Sequence, residues 1–188
     1  MPELAGFFLY CSLNNIYKKD NKLEGSAKGK FFAKFFIGLV SFYQKTYVKE
    51  LKKSKRFTPP ESIYELAEKT KTLVSIGNQT GEGWFLPGEM IELIESGVDN
   101  IVCMQPFGCL PNHIIGKGPI KELKARYPKA NIIPIDYDPS ASEVNQINRI
   151  KLMLSRAFKN LHDEENNTSK LSSKRKQFTV DDIKMRAL

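Results

Sequence analysis

Apolar residues recur at close to helical spacing over residues 4–17, where Leu4, Phe7, Phe8, Cys11 and Ile16 fall on neighbouring turns. Lys, Asn, Gly and Ser dominate residues 18–30, which reads as a loop. Residues 30–55 predict a long helix with aromatics on one face and lysines on the other, stopped by Thr58-Pro59-Pro60. A short helix from Glu61 to Thr70 follows, with Pro60 suited to its first turn. Beyond it the texture changes. Thr72-Leu73-Val74-Ser75-Ile76 is a short, partly β-branched apolar run ending at Gly77, which predicts a strand. Pro87 to Ser96 predicts a helix burying Met90, Ile91, Leu93 and Ile94 and stopped by Gly97. Asn100 to Met104 predicts a second strand, Pro119 to Tyr127 a helix, and Asn131 to Tyr137 a third strand. Ser142 to Phe158 predicts a last long helix, capped by Ser142, with Val144, Ile147, Ile150, Leu152, Met153 and Leu154 on its core face.

The order β-α-β-α-β-α with short connections, and strands that are apolar throughout, predict parallel strands covered on both faces. The expected fold is therefore α/β: a small parallel three-layer sheet, Rossmann- or flavodoxin-like, preceded by a helical N-terminal segment. Three strands are few for an independent sheet, so further strands are expected from another chain or segment. Three regions result. Residues 1–56 are helical and basic, residues 57–162 form the α/β domain, and residues 163–188 are a polar flexible tail with a short helix at Val180 to Ala187.

Composition narrows the classes. The chain has 188 residues, is 41% hydrophobic and 27% charged, and can bury a core. Its longest apolar run, Phe31 to Tyr43, is interrupted by Lys34 and Gly38 and falls short of the roughly 18 residues of a membrane span. Three cysteines and a start without positive charge predict a reducing, cytoplasmic setting with no disulfide scaffold. The net charge of +8 suggests nucleic acid until it is divided along the chain. Residues 1–56 carry 12 Lys/Arg against 4 Asp/Glu, whereas residues 57–140 carry 7 against 11. The acidic middle argues against a phosphate-tracking groove there. In the basic N-terminal helices the aromatics are expected to pack inward and the lysines to be solvated, so neither nucleic acid nor membrane is expected as a partner.

In an open parallel sheet, ligands sit beyond the carboxyl ends of the strands. Three loops leave those ends. The first is Gly77-Asn78-Gln79-Thr80-Gly81-Glu82-Gly83-Trp84-Phe85; the second is Gln105-Pro106-Phe107-Gly108-Cys109-Leu110-Pro111-Asn112-His113; the third runs from Asp138 to Asn145. In the second loop Cys109 follows a glycine between prolines, a setting that fixes the backbone and lets a sulfur project. Three roles are open to it: a free structural thiol, a metal or cluster thiolate, or a nucleophile. Cys103 and Cys11 read as core. Cys109 and His113 alone are too few for zinc, which takes four ligands in a structural site. His113 reads as a loop hydrogen-bonder and His162 as a surface residue at a helix end. The first loop could cradle phosphate with its amides, but it matches no nucleotide motif, and a tight turn with Trp84 and Phe85 packed below it is the simpler reading. Glu82 is a lone candidate base. Asp136 and Asp138 orient a ligand or cap the next helix.

These three blocks, Gly77 to Leu86, Gln105 to His113 and Ile135 to Gln146, resemble the C-terminal part of the 2-hydroxyacyl-CoA dehydratase activase-related proteins, the activator-fused type of the 2-hydroxyglutaryl-CoA dehydratase family. The resemblance covers about residues 57–158. Such proteins are far longer, so the chain is expected to be a C-terminal fragment or a split gene product. The resemblance implies an anaerobic bacterium and iron–sulfur chemistry. An ATP-dependent activator passes one electron at low potential to a [4Fe–4S] or double-cubane cluster, and the acyl-CoA substrate is reduced to a ketyl radical that expels its hydroxyl. Cys109 aligns with the cluster-bearing loop and is the implied metal ligand. A cluster takes three or four thiolates, so the others are expected from a missing segment or a partner subunit. Two other readings remain: a non-catalytic fragment completing a larger assembly, and a nucleic-acid-binding module.

Overall fold

The computed structural model describes residues 4–54, 57–137 and 142–185, with side chains described as far as residue 166. The chain divides into two units, Met1–Asp138 and Pro139–Leu188. The first begins with two helices, α1 (Leu4–Asp20) and α2 (Ala27–Lys53), which pack on each other. Ser26 caps α2 by accepting the Gly29 amide at 3.0 Å. Helix α3 (Ile63–Lys71) starts with a capping box, in which Ser62 accepts from the Glu65 amide while the Glu65 carboxylate accepts from the Ser62 amide. Helix α4 (Phe85–Glu95), strand β1 (Asn100–Pro106), a π-helical turn (Asn112–Gly116), helix α5 (Ile120–Arg126) and strand β2 (Asn131–Tyr137) complete the unit.

Two apolar clusters hold it together. One joins Leu9, Tyr10, Leu13 and Ile16 of α1 to Ala33 and Ile37 of α2, to Ile63, Leu66 and Ala67 of α3, and to Trp84 and Phe85. The other joins Met90, Ile91 and Ile94 of α4 to Ile101 and Cys103 of β1, Ile120 and Leu123 of α5, and Ile132 of β2. Leu73 packs on the second cluster and Val74 on the first.

The expected three-layer sheet is not there. The protein is 65% helical, and its described residues form one two-stranded parallel sheet, so the fold is mostly helical rather than Rossmann-like. Thr72 to Ile76 is not a strand, and its hydrogen bonds show why. The Leu73 and Val74 amides both donate to the Thr70 carbonyl at 2.9 Å, closing α3 with turns. The guanidinium of Arg126 donates to the Thr72 carbonyl at 2.6 Å and to its hydroxyl at 2.8 Å. With those groups satisfied locally, the run passes between the two clusters as an irregular connection.

The strands are also not covered on both faces. Along β1 exposure alternates strictly, with Ile101, Cys103 and Gln105 buried and Val102 and Met104 exposed. Parallel register pairs Ile101 with Ile132 and Cys103 with Pro134, so one face of the sheet carries the core.

The aromatics of α2 depart from expectation as well. Phe31, Phe32, Phe35, Phe42 and Tyr43 point outward, each more than 60% exposed, while the small Ala33 and Ile37 face α1. Close helix approach selects the small side of α2, and that turns the broad aromatic side away.

In the second unit a single helix, α6 (Glu143–Met185), runs through the region whose polar composition predicts a flexible tail. Val144, Ile147, Leu152 and Leu154, expected as its core face, are exposed. No second described element of that unit is present to bury them. Among the described residues no helix is long and apolar enough to cross a membrane.

Candidate functional site

Because β1 and β2 are parallel and in register from Asn100/Asn131 to Pro106/Tyr137, their carboxyl ends lie together. The second loop leaves β1 there. The Cys109 amide donates to the Pro106 carbonyl at 3.2 Å, closing a turn that takes Gly108 to a φ of +70°, a conformation glycine adopts without strain. The Cys109 carbonyl then accepts the His113 amide at 3.0 Å, which starts the helical turn. Cys109 is half-buried, and exposed Phe107 and Leu110 flank it.

The sulfur has a polar partner. Asn112 Nδ2 donates to Cys109 Sγ at 3.1 Å. Asn112 is itself buried and fixed through its carbonyl, which accepts the Lys117 amide at 2.8 Å in the π-turn and Gln105 Nε2 at 2.9 Å. Gln105 is fully buried at the end of β1, and its Oε1 has no hydrogen-bond partner. The π-turn inserts a residue into the helical ladder, a device that re-aims side chains. Here the turn places Asn112 over the sulfur.

The first loop approaches from the other side. Gly81, at a φ of +61°, lies against Pro111, where an added Cβ would come within 2.9 Å of the Pro111 ring. Glu82 Oε2 accepts from Asn112 Nδ2 at 3.4 Å, so one amide group faces both the sulfur and a carboxylate. Three contacts anchor the loop to α1. The Tyr10 hydroxyl bonds the Gln79 and Gly81 carbonyls at 3.1 and 3.0 Å, Trp84 Nε1 donates to Asn14 Oδ1 at 2.9 Å, and Tyr10 and Trp84 meet edge to face. Burial pushes the Tyr10 phenol up to about 12. The amides of Asn78, Gly83, Trp84 and Phe85 all donate to carbonyls of residues 75–82, so both ends of the loop are closed as tight turns.

From β2, Asp136 Oδ1 lies 3.5 Å from His113 Nε2, and His113 Nδ1 lies 2.9 Å from the Cys109 carbonyl, to which it donates. His113 is thus the loop hydrogen-bonder expected, bonding within the cysteine loop itself. Asp136 lies in β2, with its carboxylate facing the His113 ring. Asp138 lies outside the described residues, as does the start of the third loop.

The other candidates fall elsewhere. Cys103 is buried in the second cluster, its thiol pushed up by burial. Cys11 is half-buried against the first cluster, and burial raises it too. His162 is exposed within α6 rather than at its end. Asn112, Gln105 and Tyr10 were not singled out by sequence reasoning. A polar pair bracketing Cys109 at both ends of one loop, Gln105 and Asn112, was the available signal.

An iron–sulfur cluster takes thiolates with N–H donors to sulfur and a partly open face. Cys109 fits one such position, since its sulfur is half-buried and receives an amide hydrogen bond. Among the described residues no three His, Cys, Asp or Glu side chains converge to hold a metal ion, so this chain's described donor set amounts to the one thiolate. Comparison of the chain with protein-family models, with curated proteins and with solved structures finds no match.

Proposed function

We propose that the chain is a module of an iron–sulfur 2-hydroxyacyl-CoA dehydratase or activase-related system, in which Cys109 supplies one thiolate to a low-potential cluster. The observation that supports this reading is the meeting of two sequence blocks at the carboxyl end of the β1–β2 pair, with the Cys109 sulfur half-open and hydrogen-bonded by Asn112. When bound, a [4Fe–4S] or double-cubane cluster supplies one-electron chemistry at low potential, driven by an ATP-dependent activator and directed at an acyl-CoA. The chain's own residues hold the site in place. Gly108 turns the backbone, His113 braces the Cys109 carbonyl, and Pro111 against Gly81 joins the loop to the first loop. The other thiolates come from a partner subunit or the rest of a longer chain. Three free cysteines accord with a reducing cytoplasm.

Anaerobic purification of the tagged chain from its source cells, together with any subunit that accompanies it as a complex, followed by iron and sulfide analysis, tests this. Stoichiometric iron that is lost in Cys109→Ser supports the reading. Iron absent from the complex overturns it in favour of a structural subunit. That second reading has its own support: the aromatic face of α2 and the Val102/Met104 face of the sheet are apolar surfaces of the kind a larger assembly covers.

A further inference from the structure

Independently of Cys109, we infer that the outer face of α2 docks on a bilayer surface rich in anionic lipid headgroups, with the helix lying along that surface. The reading that excludes a membrane depends on aromatics packed inward, and the fold turns them outward.

The face is continuous. At the helical repeat, Phe31, Phe35, Leu39 and Phe42 fall on one side of α2, with Phe32 and Tyr43 beside them, and all six are exposed. At Gly38, on the edge of this band, an added Cβ would meet nothing within 4 Å. An apolar surface of this breadth on a helix about 40 Å long calls for an occupant.

Charge selects which one. Lys34, Lys45 and Lys52 recur along one edge of the aromatic band, and Lys28 and Lys49 extend it at either end. None of these five has an ion-pair partner among the described residues. Lys45 Nζ lies 5.9 Å from the Phe42 ring centroid, which sets its charge at the rim of the apolar surface. Helix α2 carries seven lysines against Glu50 alone, so a second copy laid face to face would bring two such clusters together and be repelled. An anionic bilayer meets both demands without any matched pocket. Its acyl boundary takes the rings to a depth of about 5–10 Å, and its headgroups take the ammonium groups. No described helix is long and apolar enough to cross a membrane, so the contact is one of lying on the surface.

The test is co-sedimentation of the full chain with phosphatidylcholine vesicles, with and without phosphatidylserine. Binding is expected only with phosphatidylserine and weakens as salt rises. Phe35→Ser combined with Phe42→Ser is expected to lower the affinity roughly a hundredfold while circular dichroism shows the helices retained. Lys34→Gln, Lys45→Gln and Lys52→Gln together are expected to lower it by a similar factor, roughly a hundredfold. Unchanged binding by either variant, binding indifferent to phosphatidylserine, or no binding at all overturns the inference. A dimer that the two phenylalanine substitutions make monomeric, in a chain that ignores vesicles, assigns the face to a second copy instead. Should the phenylalanine variant misfold, Phe35→Trp decides. Brominated acyl chains are expected to quench its emission, whereas the parent chain, whose Trp84 is buried, shows no such quenching. Equal emission with and without bromine overturns the inference.

Discussion

Two groups of aromatic residues in the first unit are alike in the sequence and opposite in fate. Tyr10, Trp84 and Phe85 are buried to the last few per cent and stack on one another with ring centroids 5.1 to 6.3 Å apart. Phe31, Phe32, Phe35, Phe42 and Tyr43 of α2 are mostly exposed. The difference lies in polar anchoring and in what faces them. Trp84 and Tyr10 each carry a hydrogen-bonding tip that finds a fixed acceptor, Asn14 for one and the Gln79 and Gly81 carbonyls for the other. Those bonds bind the first loop, which carries Glu82, to α1. The phenylalanines of α2 have no such tip, and they stand at exposed positions of the helix. Burial thus follows from partners and not from residue type.

Substitutions sharpen this contrast. Trp84→Ala removes a side chain that is 1% exposed and its bond to Asn14, and about 3–5 kcal/mol of stability should be lost in urea titration. A loss below 1 kcal/mol would show that the inner cluster is not what secures the loop. Gly83→Ala is expected to be nearly as severe, on the order of 3 kcal/mol. Its φ is +42°, and an added Cβ would come within 2.0 Å of the Asn78 carbonyl oxygen.

Glu89 tests how dry the neighbourhood of Phe85 is. Burial first, and then the charges of Glu92 and Glu82, push its carboxyl up to about 8. The folded pKa lies above the unfolded value of 4.5, so the folded chain holds a proton that the unfolded chain has given up. Stability is therefore full below pH 4.5 and falls as pH rises from 4.5 to 8. Glu89→Gln should flatten that fall and stabilise the protein at pH 7.5 by on the order of 2 kcal/mol, with little effect at pH 4. Thermal melts across that range measure it, and an unchanged slope would show the carboxyl to be well solvated.

Tyr10→Phe is a milder probe and should cost about 1 kcal/mol. The wild-type phenol, held at about 12, also makes stability fall as pH rises from 10 toward 12, because the unfolded chain ionises first. The variant should lack that component. Smallest of all, Phe35→Ala on the outer face of α2 should change stability by no more than about 0.5 kcal/mol. A loss comparable with Trp84→Ala would mean that the outer face is packed in solution.

Much of the chain could be read from its pattern. The helices α1, α2, α4 and α5 and the strands β1 and β2 fall within a few residues of where periodicity and turn signals place them, because those segments bury a continuous stripe or a single alternating face. The run Thr72 to Ile76 could not be read, since a short, partly apolar run looks alike whether it joins a sheet or crosses between two clusters. Arg126, 54 positions away in sequence, takes the Thr72 carbonyl, and no local signal announces such a partner. At the site, the loops and Cys109 were legible from glycine, proline and sulfur chemistry. Asn112 and Gln105 were not, because a buried amide is recognisable only once its distant acceptor is known.

By itself, the sequence determined where most of the helices and the strands β1 and β2 lie, that charge gathers in the first 56 residues, and that Cys109 sits in a glycine- and proline-framed loop, since these depend on interactions a few residues long. The tertiary structure alone decided that the sheet has two strands, that the α2 aromatics face outward, and that an asparagine amide meets the Cys109 sulfur. Each of these depends on which of several chemically equivalent surfaces finds a partner far along the chain, and that choice is made by packing.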